Sequence, residues 1–233
     1  MQQIRFRKRE QLDFKATEAF KALRTNILFC GSDIQVIGIT SSTPNEGKTS
    51  VSMQLAISFA EAGKRVLFID ADIRKSVIQG RYRISGELMG LTHYLTKQKE
   101  RDEVIYHAGI ENMDIIIAGP VSPNPTELLS GHAFGDLIES ERSNYDYILI
   151  DAPPLGSVID AAIIAKQIDG AIIIVESGAV SYKLVQSIKL QLEKSECRIL
   201  GVILNKMDIE KNGYYGSYYG KYYGNYYGNY EKQ

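Results

Sequence analysis

The sequence of 233 residues predicts an α/β domain: a doubly wound, mostly parallel sheet flanked by helices. Two observations lead to this prediction. Short apolar runs, each long enough for one buried strand, alternate with longer segments in which apolar residues recur at helical spacing. Strands that are apolar throughout are covered on both faces, which is typical of parallel sheets between two helical layers.

The first elements follow from this alternation. Residues 1–15 are polar and charged and predict a flexible N-terminal arm. A helix is predicted over Ala16–Phe29, where apolar residues recur at Ala19, Phe20, Leu23, Ile27 and Leu28. A second helix is predicted over Gly47–Ala62, with one side formed by Val51, Leu55, Ser58, Phe59 and Ala62. Gly63 ends this helix.

The remaining elements complete a folded domain over residues 16–208. The predicted strands are Gln35–Thr40, Arg65–Asp70, Asp114–Ala118, Tyr147–Asp151, Ala171–Glu176 and Ile199–Asn205. The further predicted helices are Thr126–Glu141, Ile159–Gln167 and Tyr182–Lys194. The segment from Ala71 to about Met113 shows no readable period.

Composition excludes several classes of protein. The 27 basic and 28 acidic residues give a net charge of -1, which argues against nucleic-acid binding by charge. Cys30 and Cys197 form no CxxC pair, so we expect two reduced thiols. The basic N-terminus lacks the apolar stretch of a secretory signal, and no run approaches the roughly 18 apolar residues of a membrane span. We therefore expect a cytoplasmic protein that reaches a membrane only through a partner.

The last segment, 209–233, differs sharply from the rest in composition. Residues 213–230 read GYYGSYYGKYYGNYYGNY, with a period of four residues. This segment contains nine of the 15 tyrosines, at Tyr214, Tyr215, Tyr218, Tyr219, Tyr222, Tyr223, Tyr226, Tyr227 and Tyr230. Because it is rich in glycine and has no aliphatic residue to bury, it predicts a disordered tail.

A phosphate-binding loop is predicted between the first strand and the second helix. Ser42–Thr49 ends in GKT, although Ser42 replaces the first glycine of the usual GxxxxGK[ST] pattern. Gly47 would let the backbone approach phosphate, Lys48 would reach the β- and γ-phosphates, and Thr49 would bind Mg²⁺. The predicted nucleotide-binding residues are Ser42, Thr43, Pro44, Asn45, Glu46, Gly47, Lys48, Thr49 and Ser50, together with Arg74 and Asn205. The alternative is a chance GKT in an ordinary loop.

Three aspartates end two further strands. Asp70 and Asp72 follow one buried strand, and Asp151 ends another. Ligands of open α/β sheets bind beyond the carboxyl ends of the strands, so we expect these carboxylates beside the phosphate loop. The predicted Mg²⁺ ligands are Thr49, Asp72 and Asp151. The alternative is that each aspartate caps the helix or turn that follows it.

Asn205 opens an NKxD sequence, Asn205–Asp208, which resembles the guanine-reading signature of GTPases. A GTPase also needs a DxxG sequence at its second carboxylate, whereas Asp151 is followed by Ala152-Pro-Pro154. We therefore predict ATP as the nucleotide, with Asn205 beside the base.

Taken together, these motifs resemble the bacterial tyrosine kinases of capsule and exopolysaccharide synthesis. Such kinases are P-loop NTPases akin to the MinD/ParA ATPases. The resemblance runs from about Thr17 to the end and is closest to the separate-polypeptide form of Gram-positive bacteria. The segments that carry it are Ser42–Thr49, Phe68–Arg74, Gly119–Leu129, Ile148–Pro154 and the tyrosine tail. The extra lysine that MinD/ParA relatives carry early in the loop is absent, since Thr43 and Pro44 stand there.

The resemblance implies an ATP-dependent protein-tyrosine kinase that phosphorylates its own tail in trans and regulates polysaccharide synthesis and chain length. Asp70 is the candidate acceptor of the tyrosine proton, and Lys48, Asp72 and Asp151 are the other candidate catalytic residues. The sequence leaves the split of roles between Asp70 and Asp72 open. Arg74 either binds phosphate or pairs with an aspartate.

Partners are also implied by the resemblance. Glu18, Lys21 and Arg24 resemble an E-x-x-R-x-x-R pattern that packs subunits into a ring, with Lys21 in place of the middle arginine. A membrane-anchored chain-length regulator would complete the site with its cytoplasmic tail and hold the kinase at the inner face of the membrane. A phosphotyrosine phosphatase would reverse the reaction.

Two other functions stay open at this point. A MinD/ParA-like ATPase that positions a cargo shares the loop and the aspartates but has no need of a tyrosine tail. A nucleotide-bound scaffold at the membrane would use the tail to recruit partners. The tail itself has alternatives as a stacking strip for nucleic acid or as a self-associating segment. Lys221 is the one basic residue in 213–230, so nucleic acid is not the expected partner.

Overall fold

The computed structural model describes residues 2–8 and 11–207. Within them, eight strands form one sheet: β1 (Gln2–Gln3), β2 (Val36–Ser41), β3 (Val66–Asp70), β4 (Tyr106–Ile110), β5 (Met113–Ile116), β6 (Tyr147–Asp151), β7 (Gly170–Glu176) and β8 (Ile199–Asn205). The α-helices are α1 (Phe14–Leu28), α2 (Lys48–Glu61), α3 (Ile78–Arg81), α4 (Leu91–Leu95), α5 (Arg101–Val104), α6 (Pro125–Ser130), α7 (His132–Glu141), α8 (Asp160–Ile164) and α9 (Tyr182–Lys194). A 3₁₀ turn, Ala165–Gln167, extends α8.

The strand order is β1-β4-β5-β3-β6-β2-β7-β8. In the described residues every neighbouring pair is parallel except β4 and β5, which are antiparallel. Asp70 and Asp151 are register partners on β3 and β6, and Ile39 of β2 pairs with Asp151. The carboxyl ends of the three central strands therefore meet at one edge of the sheet.

Each central strand contributes side chains to two separate cores, one on each face of the sheet. Leu67 and Ile69 pack in one core, and Val66 and Phe68 pack in the other. All four are fully buried. Burying one such side chain contributes about 1.5–3 kcal/mol, so apolar alternation to both faces fixes the register of the strand. The predicted doubly wound fold is confirmed.

The helix predicted over Thr126–Glu141 is wrong in one respect. The structure has two helices there, α6 and α7, which are separated at Gly131. Gly131 is extended, with φ -70° and ψ 158°. Glycine has the lowest helix propensity after proline, so leaving the helical conformation at Gly131 costs little helix stability.

The segment that showed no period contains α3, α4, α5 and β4. Each is only four or five residues long, too short to display a helical or strand period. β4 returns beside β5 as an antiparallel strand, and β1 pairs with its other edge.

Ile4, in the predicted flexible arm, is 3% exposed. The described start of the arm thus packs against the sheet, which differs from the expectation of a loosely held segment.

In the part of the chain that the structure describes, no helix has both the length and the apolar character needed to cross a membrane. The tyrosine-rich tail lies outside the described residues.

Candidate active site

The loop between β2 and α2 has the backbone of an anion site. Gly47 lies just before Lys48, the first residue of α2, and has φ 89°, a left-handed conformation that favours glycine. A Cβ atom on Gly47 would lie 2.2 Å from Nδ2 of Asn205. Glycine is thus required here both by the dihedral angle and by the contact. The turn directs the first N–H groups of α2 and its positive dipole end toward the loop.

Asp151 gathers the polar side chains of α2. Its Oδ1 accepts from Nζ of Lys48 at 2.6 Å and from Oγ of Ser52 at 2.9 Å. Its Oδ2 accepts from Oγ1 of Thr49 at 2.7 Å. Lys48 is 7% exposed and Asp151 is 1% exposed, so the pair is buried and fully hydrogen-bonded. Three of the four side chains predicted to hold the phosphates and the metal, Lys48, Thr49 and Asp151, therefore lie in direct contact.

Glu46 shapes the loop from inside. This residue is 1% exposed, and its Oε1 accepts hydrogen bonds from the backbone N–H and the hydroxyl of Thr43. Its Oε2 accepts from the N–H of Glu176, at the end of β7, at 3.1 Å. Glu46 therefore ties the loop to the neighbouring strand. Its side chain supports the shape of the loop and is not placed to bind the nucleotide.

Two polar contacts hold the far side of the loop. Nδ2 of Asn205 donates to the carbonyl of Glu46 at 2.8 Å. Nζ of Lys206 donates to the carbonyl of Asn45 at 2.7 Å and to Oε2 of Glu176 at 2.8 Å. Asn205 thus contacts the loop, and its predicted role beside the base remains a prediction.

Ser42 is where the loop departs from the usual motif. Its Oγ is buried and has no hydrogen-bond partner among the described residues. A Cβ atom on Gly156 would lie 2.1 Å from the carbonyl oxygen of Ser42, so the loop after β6 packs tightly on this residue. A buried hydroxyl without a partner, beside a left-handed glycine and a helix N-terminus, fits a site that receives a polar ligand such as phosphate.

Asp70 and Asp72 differ in their surroundings. Asp70 is 1% exposed and accepts hydrogen bonds from Oγ of Ser76 and, at 3.2 Å, from the N–H of Asp72. Burial, reinforced by the nearby charge of Asp151, raises the pKa of Asp70 to about 7. Asp72 is less buried and accepts from the N–H of Lys75 at 2.9 Å, as in a turn cap. Asp70 is therefore placed as a group that exchanges a proton near neutral pH.

Arg74 forms an ion pair with an aspartate, one of its two predicted roles. Its guanidinium donates to both carboxylate oxygens of Asp160, with Nη2 to Oδ1 at 2.9 Å. Oγ1 of Thr126 donates to the same Oδ1 at 3.0 Å, and Asp160 is fully buried. This cluster joins the loop after β3 to α6 and α8, so it fixes the rim of the site. A role for Arg74 in binding nucleotide remains a prediction.

The remaining predicted residues are placed as follows. Ser50, in the first turn of α2, is contacted by the guanidinium of Arg81 on α3. Pro44 lies in the loop itself. Sequence reasoning missed Ser52, Ser76 and Asp160. Ser52 had a detectable signal, because it follows Lys48 by four residues and therefore shares its helix face.

The predicted oligomer motif is on α1. Glu18 and Lys21 form an exposed ion pair at 2.7 Å. Arg24 instead donates to the carbonyl and to Oγ of Ser58 on α2, the latter at 3.1 Å. Within one chain, Arg24 therefore ties α1 to the helix that begins at the phosphate loop. Whether these three residues form a subunit interface remains a prediction.

Comparison with known proteins shows which family the chain belongs to. Residues 34–209 match the family model described as AAA domain. The tyrosine-protein kinase CpsD of Streptococcus pneumoniae serotype 4 is 43% identical over 207 residues, which cover 88% of this chain and 91% of that protein.

The chain belongs to the bacterial tyrosine-protein kinases. The predicted resemblance is thus confirmed.

Solved structures agree with this assignment. The chimerical protein CapA2B2 has a TM-score of 0.80 and 31% identity, over 89% of this chain and 94% of that one. The septum site-determining protein MinD from Pyrococcus horikoshii, complexed with Mg-ADP, has a TM-score of 0.65 and 25% identity, over 75% of this chain and 71% of that one. The fold is a P-loop nucleotide-binding fold, and the chain binds nucleotide.

Proposed function

We propose that this protein is an ATP-dependent protein-tyrosine kinase whose first acceptors are the tyrosines of its own tail, phosphorylated in trans. One observation carries the proposal: a buried carboxyl, Asp70, with a pKa of about 7 lies at the sheet edge that holds the phosphate loop. Such a carboxyl can accept the proton of an attacking O–H group at neutral pH, which is a water in a cargo ATPase and a tyrosine hydroxyl in a kinase, so the acceptor distinguishes the two functions. The nine tyrosines of 213–230 supply acceptors in the same chain.

ATP is the proposed nucleotide. The residues that would hold its phosphates are Lys48, Thr49 and the backbone of the loop before them. Mg²⁺ would be held by Thr49, Asp72 and Asp151, directly or through water, and would neutralise charge on the phosphates when bound. The oxygen donors in this set are those that Mg²⁺ prefers. Lys48, now paired with Asp151, is within reach of the loop and supplies the positive charge that phosphoryl transfer requires.

Asp70 is the proposed acceptor of the tyrosine proton. A tyrosine hydroxyl loses its proton as its oxygen bonds to the γ-phosphorus, so a base must lie within hydrogen-bond reach of that oxygen. Asp70 is positioned by Ser76 and by the N–H of Asp72, which fix both carboxylate oxygens. Asp72, which caps a turn, is the proposed metal ligand rather than the base.

The biological role that we propose follows from the family. The kinase regulates capsular or exopolysaccharide synthesis and chain length, and it lies at the inner face of the cell membrane through a chain-length-regulator partner. A cognate phosphotyrosine phosphatase reverses the modification. Each phosphotyrosine adds about -1.5 to -2 charge, so several on one tail would repel neighbouring tails and loosen a ring of subunits.

The MinD likeness favours one second candidate, a cargo-positioning ATPase without protein acceptors. A transfer assay separates the two functions. Protein is incubated with Mg²⁺ and γ-labelled ATP or GTP, and label on protein is compared with ADP or GDP formed. The kinase predicts label on tyrosine with ATP, loss of label in Asp70→Asn, and little transfer from GTP. Nucleotide turnover with no label on protein, with and without the cytoplasmic tail of the membrane partner, would establish the ATPase instead.

A further inference from the structure

Three exposed apolar side chains lie in loops at the same edge of the sheet as Asp70. They are Val77, 42% exposed, Val121, 71% exposed, and Ile159, 58% exposed. They come from the loops that follow β3, β5 and β6, which are adjacent in the sheet. We call these three residues the apolar rim.

Contacts of neighbouring residues place each rim residue beside the loop of Asp70. Ser76, next to Val77, donates to the carboxylate of Asp70. The N–H of Ser122, next to Val121, donates to the carbonyl of Ile73 at 3.1 Å.

Ile159 is placed in the same way by its neighbour. Asp160, which follows it, forms the bidentate ion pair with Arg74. The three loops are thus joined to one another, so the rim is a fixed surface and not three independent loop tips.

We propose that the apolar rim recognises the acceptor: it binds the second tyrosine of each Tyr-Tyr pair in segment 213–230 of a second copy of this chain, while the first enters the transfer site. This inference rests on the proposed function and adds the residues that select the acceptor. Aromatic rings pack favourably on aliphatic side chains and lose little conformational entropy in doing so.

The composition of the tail suits this surface. Eight of its nine tyrosines form four adjacent pairs separated by glycine and one polar residue, and Tyr230 stands alone; the segment 213–230 contains no acidic residue and one basic residue. Glycine at every fourth position lets the backbone approach a crowded rim. In a polyproline II backbone, with three residues per turn, adjacent side chains point about 120° apart, so one ring of a pair can face Asp70 while its neighbour lies along the rim.

The position of the tail favours a second copy as its source. The structure ends at Met207 after β8, and β8 lies four strand spacings from β3, or about 19 Å. From Met207 to Tyr214 a fully extended chain spans at most about 25 Å. The first pair, Tyr214 and Tyr215, would have to cross the loops after β7, β2 and β6 nearly taut to reach the rim of its own chain, whereas the later pairs have a longer reach. A neighbouring copy has no such restraint.

The test uses full-length proteins in separate roles. The enzyme carries serine at all nine tail tyrosines, so it cannot label itself there. The acceptor is the Lys48→Met chain, either with the natural tail or with Tyr215, Tyr219, Tyr223 and Tyr227 changed to serine. Initial rates of transfer are measured against acceptor concentration. Four enzymes are compared: the enzyme with an unchanged rim, Val121→Asp, Ile159→Asp and the matched control Leu190→Asp. Leu190 is 54% exposed on α9, a helix that contributes nothing to the rim.

We expect the natural tail to have a KM about tenfold below that of the tail in which the second tyrosine of each pair is serine. Val121→Asp or Ile159→Asp should raise the KM for the natural tail about tenfold, leave ATP affinity unchanged and remove the preference for paired tyrosines. Leu190→Asp should behave as the unchanged enzyme. Val121→Ser serves as a milder variant if either aspartate variant unfolds at a lower temperature.

Two results would contradict the inference, and they differ. Transfer with the same KM and the same preference in the rim variants would overturn the rim and leave the kinase intact. Absence of transfer from the unchanged enzyme to either acceptor would overturn the proposed function and the rim with it.

Discussion

Nζ of Lys48 lies 2.6 Å from Oδ1 of Asp151, and both groups are almost completely buried. The residue expected to bind phosphate is thus held by a residue expected to bind the metal. Because Thr49 and Ser52 also donate to Asp151, one carboxylate organises the first turn of α2. Lys48 has three N–H donors, so nucleotide binding would share its charge between Asp151 and a γ-phosphate.

Lys48→Met should lower the free energy of unfolding, because it leaves the buried charge of Asp151 with hydroxyl donors alone. Removing one partner of a buried pair typically costs about 3–5 kcal/mol. The same change should reduce ATP affinity by at least about a hundredfold. Urea unfolding and nucleotide titration measure the two effects, with Lys64→Met at an exposed position as control. A variant as stable as the natural protein would show that the pair contributes no net stability.

Asp70→Asn should stabilise the nucleotide-free protein, increasingly as pH rises. The folded protein keeps the proton of Asp70 up to about pH 7, whereas the model value for an unfolded aspartate is 3.8. The folded state thus binds more protons between these values, and stability falls as pH rises through this range. At about 1.4 kcal/mol per pKa unit, the variant should gain on the order of 4 kcal/mol above pH 7 and little near pH 4.

Urea unfolding at several pH values checks this expectation. Asp33→Asn is a suitable control, since that side chain is 74% exposed. A gain in Asp70→Asn that does not change with pH would show that burial does not hold the proton on Asp70.

The rate of phosphoryl transfer should rise with pH through an apparent pKa near 7. Asp70 acts as a base only when ionised, and in the protein without nucleotide burial raises the pKa of this carboxyl to about 7. The measurement is kcat/KM for the Lys48→Met acceptor between pH 5.5 and 8.5 at saturating Mg-ATP. Asp70→Asn should lose about 10²–10⁴-fold in rate and the pH dependence with it. A profile that is flat across this range would assign the proton to another group.

Arg74→Lys should lower stability more than it lowers ATP affinity. Arg74 bonds both oxygens of Asp160, a geometry that lysine cannot reproduce. We expect a loss of about 1–3 kcal/mol, since a charged hydrogen bond to a buried carboxylate is removed. A double-mutant cycle with Asp160→Asn should give a coupling energy of about 1–3 kcal/mol. If ATP affinity falls tenfold or more while stability is unchanged, Arg74 binds phosphate and the ion pair is secondary.

Much of the fold was predictable, because central strands are apolar on both faces and each helix buries one side. All six predicted strands are present, and two of them, Tyr147–Asp151 and Ile199–Asn205, have the predicted bounds. The helix Tyr182–Lys194 also has its predicted bounds. β4 was not predicted, because an antiparallel strand of five residues among three short helices leaves no period. The break at Gly131 was also missed, since helical spacing continues on both sides of it.

The site was predictable where chemistry fixes the residue type. Gly47, Lys48, Thr49 and Asp151 come together as their motifs require. The hydrogen bond from Ser76 to Asp70 and the ion pair of Arg74 with Asp160 depend on tertiary contacts across distant segments. No local pattern marks Asp160 as the partner of Arg74. The rim depends on loops that only the order of the strands brings together.

The most direct test of the kinase is the mass of the protein after incubation with Mg-ATP. Intact mass is recorded with and without the cytoplasmic tail of the membrane partner, beside Asp70→Asn, and phosphorylated peptides are then mapped. We predict several added phosphoryl groups, all within Tyr214–Tyr230 and absent from Asp70→Asn. ATP consumption without any gain in mass, even with the partner present, would contradict the account and identify the protein as an ATPase of the same fold.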